Sequence, residues 1–98
     1  MLFFTILISA RGNVMLNICD PELLDKTLLD GNTKIKINSN YYAERDVDEH
    51  EAKNLLTKCN SINMVGEKTI SLATSLGLGS EKSVRRIEGV PFLILFKM

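Results

Sequence analysis

The sequence predicts one small α+β domain over residues 1–98, with a mixed or antiparallel sheet and about three helices. Apolar residues make up 45% of the chain and charged residues 24%, the balance of a folded domain with a single core rather than of a disordered or disulfide-stapled one. Strand-like and helix-like patterns are mixed along the chain, with no internal repeat or flexible linker. Several neighbouring strand patterns are joined too closely for helical crossovers, which argues against a doubly wound parallel sheet.

The elements follow in order. Residues 2–9, rich in Phe and Ile, read as a central strand; the run ends at Ser9, far short of the roughly 20 apolar residues of a membrane span. A signal peptide is not expected, since the start carries no basic residue and no small-residue cleavage site. Ala10-Arg11-Gly12-Asn13 is a turn, and Val14 to Cys19 returns as the second strand of a hairpin. Asp20-Pro21-Glu22 predicts a helix start, with Asp20 capping free amides and Pro21 at the first helical position. Leu23, Leu24, Leu28 and Leu29 would form the apolar face of that helix, and Gly31-Asn32 would end it. Lys34 to Asn38 alternates polar and apolar residues, the period of a half-exposed strand, and Tyr41-Tyr42 follows.

Asp46 predicts the start of the clearest helix, 46–58, with Glu49 three residues on as in a capping box. Ala52, Leu55, Leu56 and Cys59 fall at i, i+3, i+4 and i+7 as one buried stripe, and Glu49 and Lys53 pair on the wet face. Ile62 to Val65 suits either a strand or the beginning of a helix. Gly66 to Thr69 opens a helix through Ile70, Leu72, Ala73 and Leu76, with Gly77 as a left-handed C-cap. Val84 to Glu88 is a strand on which Arg85 and Arg86 must face opposite ways. Gly89-Val90-Pro91 is a turn or bulge, and Phe92 to Phe96 is a second apolar strand. Both apolar runs are expected in the sheet interior, with Leu7, Ile8, Leu55, Leu56, Leu72, Ile94 and Leu95 buried.

The chain carries 12 basic and 12 acidic residues, unlike a broadly basic nucleic-acid-binding domain. Cys19, Cys59 and His50 lack the paired spacing of a zinc site, so no metal or other cofactor is expected. The cysteines read as reduced, buried thiols of a cytoplasmic protein, and His50, in a run of acids, as a solvated side chain. No general base, nucleophile pair or metal cluster marks an enzyme. Gly66-Glu67-Lys68-Thr69 is not a phosphate loop, because Glu67 separates Gly66 from Lys68. Its helix start could still offer amides to an anion beside Lys68 and Asn63. The bases are unevenly placed: Lys68, Lys82, Arg85, Arg86 and Lys97 dominate the stretch from Glu67 onward, and Lys34 and Lys36 share a strand face. Were they to meet in space they would form a patch for RNA phosphates or an acidic surface. Tyr41 and Tyr42 are candidates to stack on a base or a partner side chain.

From Cys19 onward the sequence resembles an archaeal family, the domain-of-unknown-function family 424. The resemblance is carried by Cys19-Asp20-Pro21-Glu22-Leu23-Leu24, by Tyr41-Tyr42 before the acidic helix, by Asn63-Met64-Val65-Gly66-Glu67 and by Gly89-Val90-Pro91. It implies a small α+β domain, no known activity, and genes that stand beside translation genes in archaea. The family pattern continues after Gly-Val-Pro with polar residues, typically His-Ala-Gln, where this chain has Phe92-Leu93-Ile94; that departure lowers any enzymatic reading. The expectation is a non-catalytic translation accessory protein binding the ribosome, its RNA or an initiation factor, through Lys34, Lys36, Lys68, Lys82, Arg85 and Arg86; neither DNA nor a membrane is an expected partner. Two other classes compete: an anion- or metabolite-binding domain or enzyme at Asn63, Gly66 and Lys68, and a protein–protein module using the acidic helix 46–58 against a basic partner.

Overall fold

The computed structural model describes residues 2–10, 13–42 and 44–97, and gives the backbone alone at 2–4, 6–10 and 13. β1 (Leu2–Ala10) and β2 (Asn13–Cys19) form the predicted hairpin, with Leu7 opposite Leu16. The predicted turn residues Arg11 and Gly12, and the side chains of Leu7 and Ile8, lie outside the described set. β6 (Ser61–Val65) resolves the ambiguous 62–65 segment as a strand and pairs parallel with β2, Cys19 opposite Val65. β8 (Val90–Phe96) pairs antiparallel with β6, and β7 (Arg85–Ile87) with β8. β5 (Arg45–Asp48) closes the other side against β1. The six-stranded sheet runs β5-β1-β2-β6-β8-β7, so the apolar runs of β1 and β8 both sit inside its edges.

Between β7 and β8 the chain turns on Glu88 and Gly89, both with positive φ (48° and 79°), as a two-residue hairpin turn requires. α2 (Glu49–Lys58) and α3 (Glu67–Ser75) pack on one face of the sheet. There Leu16, Ile18, Ile62, Met64 and Leu93 meet Ala52, Leu55, Leu56, Ile70, Leu72 and Ala73 in the main core. α3 ends as its sequence predicts: Gly77 N–H reaches the Thr74 carbonyl and Leu78 N–H the Ala73 carbonyl, both at 3.0 Å, with Gly77 left-handed. Among the described residues no helix is long and apolar enough to cross a membrane.

Three expectations are corrected. Where a helix is predicted from Asp20 to the Gly31-Asn32 break, the chain makes one 3-10 turn at Pro21–Leu23 and then a separate hairpin. Its strands are β3 (Thr27–Asp30) and β4 (Thr33–Lys36), with Leu28 buried and Leu29 exposed. Asp25 breaks the helix at φ 64°, its N–H donating to the Ile37 carbonyl at 2.6 Å. Gly31-Asn32 is then the two-residue hairpin loop, a signal the leucine spacing obscured.

The cap of α2 is Asp48 rather than Asp46: its side chain accepts from Glu51 N–H at 2.8 Å. The helix starts later because Arg45–Asp48 is spent on pairing with β1, burying Val47.

Ile94, expected in the core, is 61% exposed, and Phe96 is 69% exposed. β8 alternates: Leu93 faces the helices, while Phe92, Ile94 and Phe96 take the opposite face. That face has only a partial cover, the β3–β4 hairpin, the Ile37 that follows it and the short α1 (Ser39–Tyr42); Leu28, Ile37 and Tyr42 pack with Cys19, Val65 and Ile87 in a second, smaller core.

Leu56 has no exposure, and its truncation to Ala should cost about 2–5 kcal/mol, a large part of the stability of so small a domain. Ile94→Ala should shift the melting temperature far less. Thermal melts of the two variants check the assignment of faces.

Candidate functional site

Two places in the fold gather chemistry-bearing residues, and the sequence anticipates each only in part. The first is the start of α3. Gly66, at φ +112°, donates its N–H to the Pro91 carbonyl at 3.0 Å and turns the chain from β6 into the helix. The amides expected to receive an external anion are already filled. Asp20, at the end of β2 and buried, accepts from Lys68 N–H at 2.9 Å, from Thr69 N–H at 2.8 Å and from the Thr69 hydroxyl at 2.7 Å. Asp20 therefore caps a helix, as predicted, but one 48 residues away rather than its own turn. The Lys68 ammonium lies 3.4 Å from Glu22. Asn63 is not beside Lys68: the small cavity by α3 is lined by Asp20, Glu22, Leu23, Glu67, Lys68 and the Gly89–Pro91 segment. The geometry thus takes apart the predicted Asn63-Gly66-Lys68 anion site.

The second place is the partly covered sheet face. Strand register places Met15, Ser61 and Phe96 in one row and Asn17, Asn63 and Ile94 in the next. Asn63 donates from Nδ2 to the Tyr42 hydroxyl at 3.1 Å, and Asn17 from Nδ2 to the Tyr41 carbonyl at 3.1 Å. Asn17 is only 7% exposed, and its Oδ1 has no hydrogen-bond partner among the described residues. Tyr41 presents its ring outward at 61% exposure, whereas Tyr42 is buried. Under the edge of the β3–β4 hairpin lies a cavity of about 370 Å³ lined by Ile35, Asn63, Ser83, Arg85, Ile87, Phe92 and Ile94. It joins an apolar lining to an amide, a hydroxyl and a guanidinium, the mixture typical of small-ligand sites.

The bases do not meet as one patch. Strand alternation sends Arg85 to the open face and Arg86 to the helix face. Arg85 pairs with Asp30, and Arg86 with Glu67 at 2.8 Å and Glu81 at 3.1 Å. Glu88 accepts from Leu29 N–H at 2.6 Å, tying the hairpin to the β7–β8 turn. Lys34 and Lys36 are exposed on β4, on the side of that strand away from Ile35. Lys82 is exposed in a 3-10 turn at Glu81–Ser83. Of the predicted binding residues, then, Tyr42, Asn63 and Arg85 are brought together with Tyr41 at their margin, and the other six lie elsewhere. Sequence reasoning missed Asn17, Ser83, Ile94 and Phe96 as a face. The available signal was a lone Asn inside two apolar strands, at Leu16-Asn17-Ile18 and Ile62-Asn63-Met64.

The acidic first turn of α2 is exposed, as is His50. A charged groove of about 490 Å³ between α2 and α3 is lined by Glu49, Lys53, Glu67, Lys68, Ser71, Leu72 and Ser75, with Glu49 and Lys53 4.0 Å apart. Both thiols are free and buried, on opposite faces of the sheet. Burial, helped by Asp20 and Glu22, pushes the Cys19 thiol up to about 12, and burial pushes the Tyr42 hydroxyl to about 12. Among the described residues no group of three or more His, Cys, Asp and Glu could hold a metal ion.

Fold and site define a small α+β domain built on a mixed sheet, with one face closed by helices and the other half covered by a hairpin. A crystal structure of an uncharacterized conserved protein from Methanopyrus kandleri has the same fold, with a TM-score of 0.82 and 20% identity over 100% of this chain and 95% of that one. The model of the family described as protein of unknown function (DUF424) matches residues 8–98, and the chain belongs to that family. Comparison with curated proteins gives no match.

Asp20→Ala strips two helix amides and a hydroxyl of their acceptor and should cost about 2–3 kcal/mol. Gly66→Ala should also destabilise, since an added Cβ would overlap the Asp20 carboxyl. Part of that cost is the overlap, so it should shrink in the Asp20→Ala background; a double-mutant cycle by urea denaturation measures the coupling. A second expectation concerns alkaline pH. The unfolded Cys19 thiol loses its proton near 9.0 while the folded one holds it to about 12. Above 9.0 the unfolded state binds fewer protons, so stability is full below that pH and falls as the pH climbs toward 12. Urea midpoints measured from pH 8 to pH 11 should decline, and less steeply in Cys19→Ala.

Proposed function

We propose that the protein is a non-catalytic, cytoplasmic accessory of the translation machinery that binds RNA through the partly covered sheet face. The observation that carries the reading is the exposure of Ile94 and Phe96 beside the half-buried Asn63, in register on neighbouring strands. A sheet surface that sets an exposed ring and an exposed aliphatic side chain next to a hydrogen-bonding amide suits unstacked bases, which lie on the apolar groups and present an edge to the amide. Tyr41 adds an outward ring beside Asn17, to which its carbonyl is bonded. The family resemblance supplies the translation setting.

The electrostatics favour selective over nonspecific contact. Net charge is zero, and Arg45, Lys53, Lys68, Arg85 and Arg86 are each paired with a carboxylate. Nonspecific RNA binding relies on many released counterions and weakens steeply with salt. Binding carried by stacking and amide contacts is expected to keep most of its strength as salt rises.

Sedimentation of ribosomal fractions at low and high salt tests the reading. Wild-type protein should travel with them under both conditions. Ile94→Ser with Phe96→Ala should remove most of the association, the lost stack on Phe96 alone costing about 1–3 kcal/mol, while the melting temperature hardly moves. Wild-type protein found wholly outside ribosomal fractions, or a double variant that still travels with them, overturns it.

A further inference from the structure

We infer that the cavity under the β3–β4 hairpin binds a single nucleotide, its base against the apolar lining and its phosphate on Arg85, in the place that Asp30 takes here. The inference rests on the RNA reading of the same face and names the site where one residue of the strand is held. The cavity, about 370 Å³, falls in the range of small-ligand sites. Ile35 lines it from the hairpin and Ile87, Phe92 and Ile94 from the sheet, which suits a flat aromatic body.

Its polar groups come from three different elements. Asn63 comes from β6, with its amide oriented by the 3.1 Å bond from Nδ2 to the buried Tyr42 hydroxyl. A carboxamide has two donors and two acceptor lone pairs, so that one bond does not exhaust it. A donor and an acceptor side by side match the N6/N7 edge of adenine. Ser83 adds a hydroxyl from the 3-10 turn, and Arg85 a guanidinium from β7.

The Arg85–Asp30 pair explains why the ligand would carry an anion. Arg85 already holds a carboxylate, one belonging to the last residue of β3, and its side chain is 68% exposed. An exposed pair of this kind contributes little to stability, so its exchange for another anion is cheap. Phosphate offers the same planar fork a bidentate partner and more charge. The hairpin keeps its second tie through the 2.6 Å bond from Leu29 N–H to Glu88. Asp30 is then a competitor of the ligand rather than a supporting residue. The same chemistry can arrive as a free mononucleotide or as one residue of an RNA strand.

Titration calorimetry with adenosine 5′-monophosphate, and separately with a ten-residue single-stranded adenine-rich RNA, tests the inference on wild type, Arg85→Gln and Asp30→Asn. Both residues are exposed or partly so, and both variants are expected to melt as wild type. Arg85→Gln should weaken binding roughly tenfold or more, as the loss of a charge-assisted contact does, while Asp30→Asn should strengthen it. Opposite signs from the two members of one ion pair are what competition demands. A pair that only braces the hairpin makes both variants weaker, and that result overturns the inference. Binding of the mononucleotide but not the RNA, with opposite signs, upholds the site and overturns the RNA reading. RNA binding that neither variant changes overturns the site and leaves the RNA reading standing. Failure of both probes overturns both.

Discussion

The fold turns on one carboxylate. α3 has no cap of its own, because Gly66 precedes it with no side chain to offer. Its first amides are satisfied by Asp20, which reaches them only because β2 and β6 run parallel with Cys19 opposite Val65. Asp20 N–H bonds the Val65 carbonyl at 3.1 Å and so continues that register by one step. A slip of one residue between the two strands would exchange their faces and take the carboxylate away from the helix at the same time. The cap therefore reports on strand register, and helix, parallel pair and glycine are specified together. The glycine is required twice, by its backbone angle and by the closeness of the carboxyl, within 2.6 Å of where a Cβ would stand.

A parallel pair cannot be joined by a tight turn, so the chain must leave the sheet after β2 and return at β6. The excursion supplies the covers. Its hairpin and α1 lie on one face, then β5 extends the sheet edge, and α2 lies on the other face. α3 joins α2 and completes one side. The opposite side receives only a two-stranded hairpin and the short α1, and Leu28, Ile37 and Tyr42 pack with Cys19, Val65 and Phe92 but leave Ile94 and Phe96 exposed. The open face is a consequence of how few residues the crossover spends there.

Periodicity made most of this legible. Ala52, Leu55, Leu56 and Cys59 are the buried stripe of α2, and Gly77 ends α3 as its position suggests. What failed was the treatment of signals that are local in sequence but satisfied at long range. Asp20-Pro21-Glu22 is a good helix start, and it does start one turn; but the aspartate is used by α3, and Asp25 then breaks the path into the leucines. Asp46 had a helix-start pattern too, overridden by pairing of its segment with β1. The apolar run at Phe92–Phe96 predicted burial on both faces, which holds only where both faces are covered. The site was legible in single residues, Tyr42, Asn63 and Arg85, because each carries its own chemistry. Their grouping was not, since it depends on the register of β6 with β8 and on where the hairpin rests.

Charge shows the same dependence. A count of bases toward the C-terminus suggests a patch, yet strand alternation alone separates Arg85 from Arg86, and the fold then gives each a carboxylate from a distant segment. The two pairs are not equivalent. Arg86 is held by Glu67 and Glu81 together, on the side of the sheet already closed by α3. Arg85 has Asp30 as its ion-pair partner, on a hairpin, at the rim of a cavity whose other polar groups are an oriented amide and a hydroxyl. Arg86 keeps one carboxylate if the other is displaced, so an incoming anion gains little there. An exposed arginine with one carboxylate loses little when that one is exchanged. At Arg85 the neutral chain thus holds, on the face that the helices leave open, a guanidinium whose partner can be replaced at small cost.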